Sequence, residues 1–317
     1  MKRALLIKQF DRKLEQIIGV DLPILKKVKK FVISSGGKRI RPLTHFYFAR
    51  ILEYPGEEWK DVGAIGELIH AASLLHDDVV DNSDLRRGKP TINKIYDNKT
   101  AVLSGDFLLA CGLDHLGTLE HSKQLLSVFT RVIRMLAVGE LLQMQWESNL
   151  KIPEKAYERI IQGKTAGLFG AMTESAAIIA GHGEKEVLRH RDFGEKLGRI
   201  FQIRDDYLDY FGSEEINGKD LFQDFRRGLV TRPVIVLRSR LKGKDKKWLE
   251  QTWVSDERRE SSENIEILTS LVEKDQLEKR LALEIESEID SLIKFLRKYP
   301  PSDSSTEIQN RLQELMV

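Results

Sequence analysis

Two acidic clusters of one form, Asp77-Asp78-Val79-Val80-Asp81 and Asp205-Asp206-Tyr207-Leu208-Asp209, carry the clearest chemical signal in the sequence. On a helix, residues i and i+4 share a face about 6 Å apart, so Asp77 pairs with Asp81 and Asp205 with Asp209. Like charges at that spacing repel, and a chain that places two such pairs after apolar helices calls for a cation between the carboxylates. Oxygen ligands without cysteine and with little histidine favour Mg²⁺ over Zn²⁺, and Mg²⁺ usually bridges a few carboxylates to substrate phosphates. One such cluster in a chain that is 32% charged is ordinarily a solvated helix end. Two copies, each on an apolar helix and each trailed by basic residues, change that balance.

Carboxylates that hold Mg²⁺ imply an anion on the far side, and the sequence supplies cations for it. In Gly36-Gly37-Lys38-Arg39-Ile40-Arg41-Pro42, Lys38 and Arg41 lie three apart, two glycines free the backbone, and Pro42 sits early in the following helix. Arg86-Arg87-Gly88 follows the first cluster, Gly218-Lys219 trails the second, and Lys164-Thr165 lies mid-chain beside the small residues Ala166, Gly167 and Gly170. Diphosphate is the simplest ligand that needs the acids through metal and the bases directly.

The elements that must position these residues are helices. Few prolines and many Leu, Ile and Ala at helical spacing predict an all-α chain without strands, with helices over about 2–17, 22–34, 40–53, 57–82, 99–118, 121–147, 153–181, 184–212, 231–241, 246–253, 260–273, 276–298 and 304–316. Helix 57–82 is apolar around most of its circumference, which suggests burial, and helix 276–298 is amphipathic and requires only packing. No linker or composition shift divides the chain, so residues 1–317 read as one domain, a motif-bearing core over about 30–240 followed by C-terminal helices over about 241–317.

Composition narrows the class. With 41% apolar residues, 8 Pro and 22 Gly in 317 residues, disorder and collagen are excluded. A formal +2 from 51 basic and 49 acidic residues gives no global reason to expect nucleic acid or an anionic membrane as a partner. A single cysteine, Cys111, cannot form an internal disulfide or a structural zinc site, which points to the cytoplasm. The N-terminus is not a secretory signal, and no stretch reaches the roughly 20 apolar residues of a spanning helix.

Taken in order, Gly36 to Pro42, Leu75-His76-Asp77-Asp78-Val79-Val80-Asp81 with Arg86-Arg87-Gly88, Lys164-Thr165, and Phe201-Gln202-Ile203-Arg204-Asp205-Asp206-Tyr207-Leu208-Asp209 resemble the trans-isoprenyl diphosphate synthase (polyprenyl synthetase) family. The resemblance implies a single-domain helical bundle around a deep central cavity, the isoprenoid synthase fold, usually a homodimer. It implies condensation of isopentenyl diphosphate with an allylic diphosphate (dimethylallyl, geranyl or farnesyl), with three Mg²⁺ ions when substrate is bound. Asp77, Asp81 and Asp205, supported by Asp78, Asp206 and Asp209, would hold Mg²⁺ on the allylic diphosphate. Arg86, Lys164 and Lys219 would contact the same diphosphate, and Lys38, Arg41, His70 and Arg87 that of isopentenyl diphosphate. Thr165 and Gln202 match positions whose oxygens face the allylic carbocation.

Two departures stand out. The family's second lysine after the second cluster is Leu229 here, with Arg226, Arg227 and Arg232 nearby as substitutes, and a glycine often seen before Asp224 is Phe222. Product length is addressed by Ala72 and Ser73, about 7.5 and 6 Å along the helix from Asp77 at 1.5 Å per residue. Short-chain members carry aromatics there; two small residues resemble octaprenyl-type synthases making products of about C35 to C45 for quinone side chains, with a transient membrane contact for product release. The alternatives are a geranylgeranyl or farnesyl diphosphate synthase, a non-catalytic subunit of a heteromeric synthase, and a terpene cyclase or head-to-head condensing enzyme.

Overall fold

Leu, Ile and Ala at helical spacing, rarely interrupted by proline, leave the backbone few competitors to the α-helix. The computed structural model describes residues 3–19, 22–34, 38–86, 88–212 and 221–317; Gly36, Gly37, Arg87, Gly218 and Lys219 lie outside the described residues. The helices are α1 (Arg3–Ile18), α2 (Pro23–Ser34), α3 (Ile40–Ile51), α4 (Trp59–Val80), α5 (Ile92–Ile95), α6 (Asn98–Gly117), α7 (Ser122–Trp146), α8 (Glu154–Ile161), α9 (Gly167–Ile179) and α10 (Glu184–Phe211). They continue with α11 (Gln223–Arg226), α12 (Arg232–Arg240), α13 (Gly243–Thr252), α14 (Asp256–Glu260), α15 (Ser262–Lys274), α16 (Leu277–Leu296) and α17 (Asp303–Gln313).

The all-α expectation holds, with three local corrections. A two-residue antiparallel hairpin, β1 (Leu85–Arg86) and β2 (Lys89–Pro90), follows the first acidic cluster where no strand was expected. Its turn contains Gly88 at φ 74°, a left-handed conformation that glycine adopts without a Cβ penalty. The segment expected as one helix over 153–181 is α8, a π-helical turn over Gln162–Ala166, then α9. Three short helices, α5, α11 and α14, were too brief to leave a periodic signal.

The described residues group into two compact units. The first comprises Met1–Arg134, Leu168–Gly194 and Tyr299–Ile308; the second comprises Met135–Gly167, Glu195–Lys298 and Gln309–Val317.

Within the first unit α4 is the central element, buried at every residue from Val62 to Ile69, as its apolar circumference predicts. Leu68, Ala72 and Leu75 on α4 join Leu14 and Ile18 of α1, Val28 and Val32 of α2, and Ala101 and Leu108 of α6 in one apolar cluster. Arg39, just before α3, is buried at φ 51° and donates to Asp11 Oδ1 at 2.8 Å and Glu67 Oε1 at 2.6 Å. An L-residue in the left-handed region is disfavoured by about 1–2 kcal/mol, and these two ion pairs hold it there. His45 Nδ1 donates to the Met172 carbonyl at 2.8 Å and so ties α3 to α9.

Within the second unit α16 buries Leu277, Leu281, Ile285, Ile289, Leu292 and Leu296, the apolar side chains that make the 276–298 segment amphipathic. Its opposite face is not merely solvated. Glu284 and Glu288 both bind Arg199 of α10, and Glu284 also binds Arg232 of α12 at 3.0 Å. The tail helix therefore clamps α10 one turn and a half before the second acidic cluster.

Candidate active site

The first cluster closes α4, and its aspartates divide by environment. Asp77 is half-buried and Asp81, which caps the helix, is exposed. Asp78 is 1% exposed, and its Oδ1 accepts from Arg86 Nε at 2.7 Å while its enclosed Oδ2 has no hydrogen-bond partner. Burial pushes the Asp78 carboxyl above the usual range, and the Arg86 guanidinium opposes that shift. Asp78 is thus the anchor of Arg86 and of the hairpin that carries it, and Asn93 Nδ2 adds a 3.3 Å hydrogen bond to the Asp78 carbonyl.

The basic segment Lys38 to Arg41 shows the same division of labour. Lys38 is exposed and Arg41 is half-buried, its guanidinium 5.0 Å from the Phe169 ring centroid, while Arg39 between them is an internal strut. His70 is half-buried on α4, two helical turns or about 10.5 Å along the axis from Asp77. One residue separates the two chain-length positions and their surroundings differ. Ala72 is 0% exposed inside the apolar cluster, whereas Ser73 is half-buried, one turn from Asp77 on the same face, its hydroxyl donating to the His70 carbonyl at 2.9 Å.

The second cluster lies within α10 and repeats the pattern. Asp205 is exposed. Asp206 is 2% exposed and accepts from Tyr157 Oη at 2.6 Å, Gln202 Nε2 at 3.0 Å and the backbone N–H of Arg232 at 3.1 Å. Burial raises the Asp206 carboxyl, those three donors lower it, and the paired Tyr157 hydroxyl is held well above its usual pKa. Asp209 accepts from the N–H groups of Gln223 at 3.1 Å and Asp224 at 3.0 Å, which ties α11 to α10. Phe222, at the position often glycine, has φ 61°; its ring packs edge-on against Tyr210 with centroids 5.2 Å apart, a contact that offsets the left-handed backbone.

Lys164 and Thr165 both lie in the π-helical turn, a distortion that re-aims side chains and recurs at functional sites. Gly163 makes the turn possible: a Cβ there would come within 2.5 Å of the Met135 carbonyl oxygen and 2.7 Å of Gly139 Cα, so only glycine lets α7 approach. Lys164 Nζ binds Glu140 Oε2 at 2.6 Å and Gln143 Oε1 at 3.0 Å. Thr165 Oγ1 donates to Gln202 Oε1 at 2.8 Å. Because the Gln202 NH₂ is committed to Asp206, its oxygen faces Thr165, and the two residues present oxygen lone pairs rather than N–H donors. Lone pairs of that kind stabilise positive charge on carbon.

The structure brings Asp77, Asp78, Asp81, Lys38, Arg41, His70, Ala72, Ser73 and Arg86 into the first unit, and Lys164, Thr165, Gln202, Asp205, Asp206 and Asp209 into the second. Of the arginines near Leu229, Arg232 is committed to Glu154 and Glu284, and Arg226 donates to the Glu260 carbonyl. Among the described residues no three His, Cys, Asp or Glu side chains converge closely enough to hold an ion on their own. The residues sequence reasoning missed are Tyr157, Glu67 and Glu140. Tyr157 lies seven before Lys164 at helical spacing, a faint signal; the other two left none.

A family model described as polyprenyl synthetase matches residues 22–272. An octaprenyl diphosphate synthase of Escherichia coli (strain K12) is 38% identical over 222 residues, 70% of this chain and 68% of that protein. An all-trans-nonaprenyl-diphosphate synthase (geranyl-diphosphate specific) of Rhodobacter capsulatus is 36% identical over 284 residues, 89% of this chain and 86% of that protein. The crystal structure of a decaprenyl diphosphate synthase from Rhodobacter capsulatus aligns with a TM-score of 0.88 at 32% identity, over 99% of this chain and 96% of that one. The expected all-α isoprenoid synthase fold is the fold of these neighbours.

Proposed function

The chain belongs to the polyprenyl synthetase family and is a trans-prenyltransferase, and from that premise we propose that it condenses isopentenyl diphosphate head-to-tail with an allylic diphosphate to make an all-trans polyprenyl diphosphate of about C35 to C45. The observation that carries this reading is the division within each acidic cluster. One aspartate of each is buried to orient a neighbour, Asp78 for Arg86 and Asp206 for Gln202, while Asp81 and Asp205 are exposed and Asp77 is half-buried.

Asp77, Asp81 and Asp205, oxygen donors without a thiolate among them, would hold Mg²⁺, and the ion would supply neutralisation of the negative charge that develops on the departing diphosphate. Everything else falls to the protein. Arg86, held by Asp78, and Lys164 take up the allylic diphosphate, the lysine exchanging Glu140 and Gln143 for phosphate oxygens. Thr165 and Gln202 turn lone pairs toward the allylic carbon as positive charge develops there. Lys38, Arg41 and His70 hold isopentenyl diphosphate so that its double bond attacks that carbon, and released diphosphate takes the proton that leaves. Neither a protein nucleophile nor a covalent enzyme intermediate is needed.

Small side chains at Ala72 and Ser73 support the long product, and the octaprenyl and nonaprenyl names of the two relatives agree with it. The match over residues 22–272 supports reading 1–317 as a single polyprenyl synthetase domain. A homodimer is supported by apolar side chains at the surface of α6, where Val102 is 38% and Leu103 57% exposed, and of α7, where Leu141 is 64% exposed. Purified protein incubated with labelled isopentenyl diphosphate, farnesyl diphosphate and Mg²⁺, followed by dephosphorylation and chromatography, gives a product near C40 if this reading is right. A C20 product moves the assignment to geranylgeranyl diphosphate, and no condensation at all moves it to a non-catalytic subunit.

A further inference from the structure

Lys38 is exposed and Arg41 is half-buried, yet Arg39 between them is 4% exposed. Its φ of 51° belongs to the left-handed region that glycine enters freely and other residues enter under strain. The sequence has glycines at 36 and 37 but keeps an arginine at 39, so a side chain is retained where the backbone favours its absence.

That side chain is not available to an anionic substrate. Arg39 Nη1 donates to Glu67 Oε1 at 2.6 Å, and Nε and Nη2 donate to Asp11 Oδ1 at 3.1 and 2.8 Å. Nη2 also reaches the Ile33 carbonyl at 3.3 Å. Two carboxylates around one guanidinium leave an excess negative charge, which repels a diphosphate rather than attracting it. The group serves instead to join elements. Asp11 lies on α1, Ile33 on α2 and Glu67 on α4, while the Arg39 carbonyl opens α3 by accepting from the Leu43 N–H at 3.1 Å.

Glu67 stands three residues before His70 on α4, so the two share a face one turn apart. The Arg39–Glu67 pair therefore fixes the turn that carries His70 against the segment that carries Lys38 and Arg41. A second tie comes from α1, where Arg3 Nη2 donates to the Lys38 carbonyl at 3.1 Å. The helix that makes these ties is itself held, with Leu6, Phe10, Leu14 and Ile18 buried and the Phe10 ring edge-on to Trp59 of α4, centroids 5.5 Å apart.

We propose that Arg39, Asp11 and Glu67 are positioning residues for the isopentenyl diphosphate site, holding Lys38 and Arg41 in register with His70 and making α1 part of that site. The inference rests on the assignment of Lys38, Arg41 and His70 to that substrate. The left-handed step at Arg39 sets the direction in which the chain, and Lys38 with it, leaves the start of α3, and the two carboxylates hold that step in place. Cations and a histidine from two helices bind one diphosphate together only while their spacing is kept, and a shift of about 1 Å at a positioned group costs up to about 100-fold.

Equilibrium binding of labelled isopentenyl diphosphate to the full chain, with initial rates in which each substrate is varied, separates positioning from folding. Glu67→Gln keeps the side-chain shape and removes the charge. It should weaken isopentenyl diphosphate binding about tenfold and raise its KM in step, with KM for the allylic substrate and the number of sites per chain unchanged. Asp11→Asn leaves the Glu67 pair intact at a side chain that is 27% exposed, so it folds, and it should weaken binding about threefold. Arg39→Gly suits the left-handed backbone but cuts the ties to α1 and α4, and should weaken binding as much as Glu67→Gln. A purely structural role gives another pattern: fewer competent sites and a lower kcat, at unchanged affinity and unchanged KM for both substrates. That pattern in Glu67→Gln and Asp11→Asn, or wild-type affinity in Arg39→Gly, overturns the proposal. Lys38→Ala tests the premise separately. Wild-type affinity in Lys38→Ala removes the site assignment and the proposal with it, whereas weakened Lys38→Ala beside unaltered Glu67→Gln and Asp11→Asn overturns the proposal alone.

Discussion

Replacing Ser73 by Phe should shorten the product, whereas replacing Ala72 by Phe should chiefly destabilise the protein. Ser73 sits one helical turn, about 6 Å, from Asp77 on the same face, and it retains solvent-accessible surface. An isoprene unit extends about 5 Å, judged from ordinary bond lengths, so a ring at Ser73, little more than one unit's length from Asp77 along the axis, obstructs growth early and moves the main product from about C40 to C15 or C20. Ala72 has no such room. It is 0% exposed and enclosed with Leu68, Leu75, Ala101 and Leu108, so a benzyl group there must displace packed side chains at a cost of about 1–3 kcal/mol. The assay is paired: radiochromatography of dephosphorylated products from each variant, and thermal unfolding of the same preparations. Ser73→Phe should shift the product with little change in Tm, and Ala72→Phe should lower Tm by several degrees with a smaller shift in product. If Ser73→Phe yields the wild-type product while Ala72→Phe shortens it at unchanged stability, the hydrocarbon runs along the other face of α4 and the reasoning is wrong.

Asp77→Ala, Asp81→Ala and Asp205→Ala should each lower kcat by orders of magnitude with circular dichroism unchanged, and a chelator should do the same to the wild type; full activity in all three variants would refute metal binding there. Lys38→Ala, Arg41→Ala and His70→Ala should raise KM for isopentenyl diphosphate, and Arg86→Ala and Lys164→Ala should raise KM for the allylic substrate, as initial-rate kinetics with each substrate varied would reveal. Glu67→Ala leaves Arg39 buried beside Asp11 alone and should cost about 3–5 kcal/mol, read as a fall in the urea midpoint at constant m. His45 is neutral in the folded protein because burial lowers its pKa from 6.5 to about 4, so its contribution is fully present above pH 6.5 and is lost as pH falls through 4. That loss amounts to about 3 kcal/mol of stability, and a His45→Gln variant should show a flatter dependence of urea midpoint on pH over this window.

What could be read in the sequence was whatever depends on neighbours three or four residues apart. Helical spacing predicted the buried circumference of α4 and all six buried positions of α16, and i, i+4 spacing marked both aspartate pairs. The hairpin at Arg86, the π-helical turn at Lys164 and the short helix after Asp209 each involve too few residues to show a period, and all three touch the candidate site. Of the three arginines that stand near the lysine absent at Leu229, Arg226 donates to the Glu260 carbonyl and Arg232 binds Glu154 and Glu284, partners that local spacing does not reveal.

Residue type and spacing determined which groups could act: carboxylates in pairs, cations to face them, and small side chains before Asp77. Only tertiary structure decided which aspartate of each cluster stays at the surface and which is spent on orientation. Asp205 and Asp206 are adjacent and chemically identical, yet one is exposed and the other is enclosed by Tyr157, 49 residues earlier, and the backbone of Arg232, 26 residues later. Burial and hydrogen-bond supply set the role of a carboxylate, and both come from chain segments that local spacing does not describe.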